Sequence, residues 1–174
     1  ESQLSLERAL RIVDATAGRD SAMAAPLLSD LGYTHLAAAE WTKASRYFER
    51  SLAIHVRESG EHNRLAASEL LALGIVRNDM GDAAGAAAFE ARAVAILEQA
   101  HDPWHPELGR ALRHLGVSLT NLGRFAEAES VMLRALAIAE KNFGSDGPAV
   151  GNALRSIGDH YSDRGEYDKA RYYS

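Results

Sequence analysis

Apolar residues recur along the chain at helical spacing. Leu108, Leu112, Leu115, Leu119 and Leu122 fall three or four positions apart, on one face of a helix. The pattern also returns at a longer interval. Leu28-x-x-Leu31-Gly32 is followed by Leu70-x-x-Leu73-Gly74, Leu112-x-x-Leu115-Gly116 and Leu154-x-x-Ile157-Gly158, each 42 residues after the last. Two further signatures keep the same phase. One is Ala9-Leu10-Arg11-Ile12, Ser51-Leu52-Ala53-Ile54, Ala93-Val94-Ala95-Ile96 and Ala135-Leu136-Ala137-Ile138; the other is Ala44, Ala86, Ala128 and Ala170. Gly81, Gly123 and Gly165 follow the period too, with Ala39 in the first place.

Each unit predicts two helices. The first carries the Leu-x-x-Leu-Gly core positions and stops at a glycine. The second begins at once, as in Phe125-Ala126-Glu127-Ala128-Glu129, and runs to about Asn142. Loops bearing Gly or Pro lead to the next unit, with Pro106 and Pro148 suited to the first turn of the following helix. A glycine inside a helix costs about 1 kcal/mol relative to alanine. Close approach is the expected compensation: Gly32, Gly74, Gly116 and Gly158 let the first helix lie tight on Ala44, Ala86, Ala128 and Ala170 of the second. A hairpin this thin buries its apolar face only by stacking on its neighbours. The expected fold is therefore all-α, a right-handed superhelical solenoid of stacked antiparallel helix hairpins. The aromatic residues Trp41, Phe48, Phe89, Phe125 and Tyr167 are expected between the helices.

The run Leu115-Gly116…Gly123-Arg124-Phe125-Ala126-Glu127-Ala128 resembles the tetratricopeptide repeat (TPR). That repeat usually spans roughly 34 residues. The longer period here, with the segment 134–150, resembles the kinesin-light-chain type. On that resemblance the chain divides into the second helix of a preceding repeat (3–17), three repeats (22–63, 64–105 and 106–147) and a truncated fourth (148–174). It reads as a single array excised from a longer one, beginning at Glu1 without a Met and with neither end carrying a polar capping helix. The resemblance implies a concave groove, lined by the first helices, that binds an extended or helical peptide.

Composition narrows the function. The chain holds 32 Ala and 21 Leu among 174 residues, with only 7% aromatics, which favours helix over a β-sandwich. A net charge of −5 gives no footprint for nucleic acid. Cysteine is absent, which excludes disulfides and thiolate chemistry. No apolar run reaches the ~18 residues of a membrane span, and no signal peptide opens the chain, so a cytoplasmic location is expected. The excess of Arg over Lys, 16 against 3, leans towards a bacterial source.

No phosphate loop, dinucleotide fingerprint, zinc-protease helix or nucleophile elbow is present. The acidic residues are scattered, so the chain reads as no enzyme, with no cofactor and no metal. His101 and His105 have metal-pair spacing, but Pro103 and Pro106 place them in a loop. His114 and His160 read as surface histidines of the first helices, and Trp104 as a loop residue that folds over the neighbouring hairpin or stands out as an anchor.

The informative positions are those of the first helices that face away from the second. Helical period gives Ser29, Tyr33, Leu36 and Ala37 in the first repeat, and Ser68, Leu71, Ile75, Asn78 and Asp79 in the second. The third offers Arg110, Arg113, Val117, Thr120 and Asn121; the fourth offers Asn152, Arg155, Asp159, Ser162 and Asp163. Arg113 and Arg155 are charge-assisted donors, and Asn78, Asn121 and Asn152 can both donate and accept. With Tyr33, Leu71 and Ile75 at one end and the arginines at the other, the groove should be more apolar towards its N-terminal end. It should take a ligand with apolar and acidic stretches. The Asn-Asn pair typical of the kinesin-light-chain type is replaced by Ser29-Asp30, Leu71-Ala72, Arg113-His114 and Arg155-Ser156, and the Lys/Asn carboxylate clamp is not reproduced. Kinesin cargo and chaperone tails are therefore not carried over as ligands. The expected function is a non-enzymatic protein–protein interaction scaffold that binds a protein or peptide segment. The alternatives are a regulatory or sensor arm of a larger bacterial kinase or transcription factor, and a structural array that self-associates through its uncapped ends.

Overall fold

The computed structural model describes residues 2–99 and 102–173. Among them are nine helices: α1 (Ser2–Thr16), α2 (Ala24–Ala37), α3 (Trp41–Ser59), α4 (Arg64–Asp79), α5 (Ala83–Gln99), α6 (Pro106–Asn121), α7 (Phe125–Phe143), α8 (Pro148–Asp163) and α9 (Tyr167–Tyr172). Each packs on the helices before and after it. In addition α4 touches α6 and α6 touches α8, so the even-numbered helices form one layer and the odd-numbered ones a second. This is the all-α solenoid of antiparallel hairpins that the repeat predicts. No described helix is long and apolar enough to cross a membrane.

The turn inside each hairpin repeats in atomic detail. Ala39, Gly81, Gly123 and Gly165 all have positive φ, at 56°, 81°, 72° and 74°. The next residue's N–H reaches five positions back, from Glu40 to the His35 carbonyl and from Asp82 to that of Arg77, each at 2.9 Å. These bonds satisfy the carbonyls that a helix end leaves open. The entry to each even helix varies more. The Asn63 side chain accepts from the Ala66 N–H at 2.8 Å, and His105 Nδ1 accepts from the Glu107 N–H at 3.2 Å. Pro106 and Pro148 each open their helix, as expected.

Leu28, Leu31, Leu70, Leu73, Leu112 and Ile157 are all buried in clusters that run the length of the stack. The glycines do permit close approach, but the neighbour differs from the one expected. A Cβ on Gly32 would lie 2.5 Å from the Phe48 ring, and one on Gly74 would lie 2.5 Å from Glu90 Cγ; on Gly116 it would strike Met132. Phe48, Glu90 and Met132 sit one helical turn beyond Ala44, Ala86 and Ala128. The glycine is thus a seat for a large side chain, and the alanine lets the helices close beside it. Phe48 is fully buried, and Phe89 and Phe125 are partly so. Trp41 and Tyr167, at the first positions of their helices, remain 38% and 68% exposed. The end helices also leave apolar groups uncovered, Leu4 and Ile12 on α1 and Tyr172 on α9.

Candidate binding groove

The layer of α2, α4, α6 and α8 was expected to present a continuous groove. Instead it holds two pockets at equivalent places, two repeats apart, with a closed junction between them. Ser29, Leu71 and Arg113 share one position in successive repeats. Leu71 is only 2% exposed and packs with Ile96, Leu108 and Ala111. The sequence pattern implied that Leu71 lines the groove; it fills the middle junction instead. Ile75 is half-buried against the same cluster. At that position the even-helix face is core, because the apolar side chain of Leu71 packs into the seam that α4 forms with α5 and α6.

The pocket bounded by α6, α7 and α8 has a volume of about 440 Å³. Its floor is apolar, made by Ala135, Ile138, Ala139 and Phe143 of α7 with Ala149 and Ala153 of α8, and its rim carries Arg110, Arg113 and Asn152. Arg155 is near enough that its charge, with that of Arg110, lowers the Arg113 pKa further after burial has done so. These cations are poorly neutralised. Arg110 reaches Glu107 only at 3.7 Å, and Arg155 donates to Asn152 Oδ1 at 3.3 Å. No carboxylate among the described residues lies within ion-pair distance of Arg113, which contacts His114 Nε2 at 2.8 Å. Burial and the two nearby arginines push the His114 pKa down to about 3, so its ring is neutral and Nε2 accepts from the guanidinium. His114 is therefore part of the arginine's seat and not a surface histidine. His160 is also buried, with Nδ1 2.7 Å from Thr120 Oγ1. The Thr120 hydroxyl donates to the Gly116 carbonyl, so the imidazole N–H is the donor to Thr120. Thr120, expected near the surface, is buried by this bond.

The second pocket, between α2, α3 and α4, has a volume of about 530 Å³. Ile54 forms its floor as Ile138 does in the first. Tyr33 stands at its wall, 44% exposed and edge-on to Phe48 with centroids 5.0 Å apart. Around it lie Ala22, Pro26 and Leu65, the apolar surface expected at this end, together with Asp30, Glu58 and Glu69, acidic groups that were not expected there.

The amides do not all stand free. Asn121 Nδ2 donates to Asn78 Oδ1 at 3.0 Å, a link between neighbouring repeats, while Asp79 stays exposed beside it. Asn121, Asn152, Arg110 and Arg155 remain exposed. The Trp104 ring folds under Lys141 of α7, whose Nζ is 3.9 Å from the ring centroid. His105 serves as the helix cap described above, and His101 lies outside the described residues. Among the described residues no three His, Asp or Glu side chains are placed to hold a metal ion.

This fold defines a helical-repeat protein of the class that serves as protein–protein interaction scaffolds. The tetratricopeptide-repeat family model matches residues 23–99 and 107–174, and the chain belongs to that family. No curated protein matches the sequence. Solved structures similar to it include nearly identical TPR-like repeats attributed to a Podosopora anserina kinesin light chain, with a TM-score of 0.80 at 18% identity over 98% of this chain and 81% of that one. BtubC (BKLC) from P. vanneervenii aligns with a TM-score of 0.74 at 18% identity, over 86% of this chain and 60% of that one. A Rap protein complexed with Competence and Sporulation Factor aligns with a TM-score of 0.76 at 18% identity, over 99% and 48%. At these identities the likeness concerns the fold.

Proposed function

We propose that this chain is a non-enzymatic interaction module whose concave face binds a peptide segment carrying an apolar residue beside an acidic one. The observation that supports this most is the Arg113 pocket. A half-buried guanidinium with no carboxylate within ion-pair distance, flanked by Arg110 and Arg155 above an apolar floor, is electrostatically unfinished. A carboxylate placed there gains charge-assisted hydrogen bonds, which are roughly twice as strong as neutral ones. The adjoining floor removes apolar surface from water at about 25 cal/mol per Å².

The double variant Arg113→Glu/Arg155→Glu tests the reading. The parent and the variant are immobilised side by side, the proteins each retains from a source lysate are identified, and the affinity of any differential protein is then measured directly. The variant should lose at least tenfold in affinity, about 1.4 kcal/mol. Unchanged affinity for the same partner would remove the arginines from the interface.

A second reading keeps the groove but places the array as the peptide-sensing arm of a longer protein. Its support is the likeness to a Rap protein complexed with Competence and Sporulation Factor, of which this chain spans about half. A fold partner of the same architecture that is complexed with a factor makes this reading the natural alternative to a free-standing scaffold.

A further inference from the structure

The two pockets occupy the same place in the hairpin stack, yet their charges are opposite. Arg110 and Arg113 at one become Pro26 and Ser29 at the other, and Ala153 becomes Glu69. Glu69 is 5% exposed, and its Oε1 accepts from Ser29 and, at 3.1 Å, from Ser51. Its Oε2 has no hydrogen-bond partner among the described residues. A buried carboxylate oxygen without a donor is costly, because the group has lost water and gained nothing in return.

Arg110 of α6 lies near enough for its charge to act on the Tyr33 hydroxyl, but among the described residues no lysine or arginine forms an ion pair with Glu69 or Asp30. Arg57 is engaged by Glu58 at 2.8 Å and by the Asp20 carbonyl, and Arg64 pairs with Glu107 at 3.0 Å. His55 Nε2 comes only within 3.9 Å of Glu69, and burial lowers its pKa, so the ring is uncharged near neutrality. Asp30 is exposed at the rim and takes part in none of the ion pairs among the described residues. Tyr33 adds a half-exposed aromatic face, on which a cation gains about 0.5–1 kcal/mol at an exposed site.

We infer that the pocket between α2, α3 and α4 receives a lysine or arginine side chain of the same bound segment whose acidic end lies at Arg113. This deepens the proposed function and rests on it. The cation completes Glu69, its stem lies on Ile54 and beside Tyr33, and Asp30 holds it at the rim. The plug at Leu71 keeps the two recognition points apart. The ligand is then bipolar, and the groove fixes its direction.

An array of ten-residue synthetic peptides tests this, with an apolar centre and flanks permuted among acidic, basic and neutral residues in both orders. Three proteins are applied: the parent, Asp30→Asn/Glu69→Gln, and Arg113→Glu/Arg155→Glu. The parent should retain peptides with opposite charges at the two ends about tenfold better than peptides with the acid alone, and in one order only. Asp30→Asn/Glu69→Gln should keep the acid preference and lose the preference for the base. The arginine variant should do the reverse. Equal retention of bipolar and acid-only peptides by the parent overturns the cation pocket and leaves the arginine pocket standing. Base selection without acid selection overturns the arginine pocket alone, and no selective retention overturns both. Melting curves confirm that each variant folds, and Asp30→Asn alone, an exposed change, repeats the comparison if the double variant is destabilised.

Discussion

Ala39 holds a backbone conformation that its three repeat equivalents reach with glycine. Its φ of 56° lies in the left-handed region, where an L side chain costs roughly 1–2 kcal/mol. Ala39→Gly should therefore raise stability by about 1 kcal/mol despite the greater freedom of the unfolded chain, measured as a higher urea midpoint with an unchanged slope. The opposite experiment belongs to Gly32. Alanine there would gain helix propensity, but its Cβ would sit 2.5 Å from a fully buried phenyl ring. Overpacking of this kind costs typically 1–3 kcal/mol, so Gly32→Ala should lower the midpoint. The repeat reveals that these glycines matter; it does not reveal which side chain each one seats. That depends on how far the second helix advances past the first, which periodicity leaves undetermined.

At the scale of a helix, α5 carries the least expected residue. Glu90 stands where α3 has Phe48 and α7 has Met132, is fully buried, and has both carboxylate oxygens without partners. Burial pushes its pKa from 4.5 up to about 7, against the opposing influence of Ser118 and of the Arg113 charge. The folded state thus holds the proton more tightly than the unfolded chain. The stabilisation is complete below pH 4.5 and is lost as pH rises through about 7. His114 titrates with the opposite sense, since its lowered pKa weakens the fold as pH drops below 6.5, so the parent alone shows a blunted slope. The difference between Glu90→Met and the parent isolates the carboxylate. It should favour the variant and widen between pH 5 and 8 to about 3 kcal/mol, as followed by denaturant unfolding at each pH. A constant difference would mean that Glu90 does not titrate in the fold. Helix positions and the turns were readable from spacing because each is dictated locally. The environments of Glu90 and His160 were not, since each is completed by α6, far away in sequence: Ser118 and Arg113 beside Glu90, and Thr120 bonded to His160.

For the molecule as a whole, the helical period was enough to assign most of the candidate polar residues to one layer. Tyr33, Arg110, Arg113, Asn152 and the Asn78–Asn121 pair all lie on the even-helix layer or at its pockets. The division of that face into two pockets was hidden, because one apolar letter means either a lining residue or a plug. Only the packing of α4 on α5 and α6 decides that Leu71 is the plug.

That position has a wider consequence. The series Ser29, Leu71, Arg113, Arg155 assigns one residue per repeat to a fixed backbone address, while the seats that hold the hairpins together lie elsewhere in each unit. Leu71 is committed to the core, whereas Ser29, Arg113 and Arg155 keep part of their surface in solvent, so a substitution at those three would rewrite the face on offer and leave the stack intact. Duplication or loss of a whole unit would change how many such addresses the array presents, and with it the spacing that a partner would have to match.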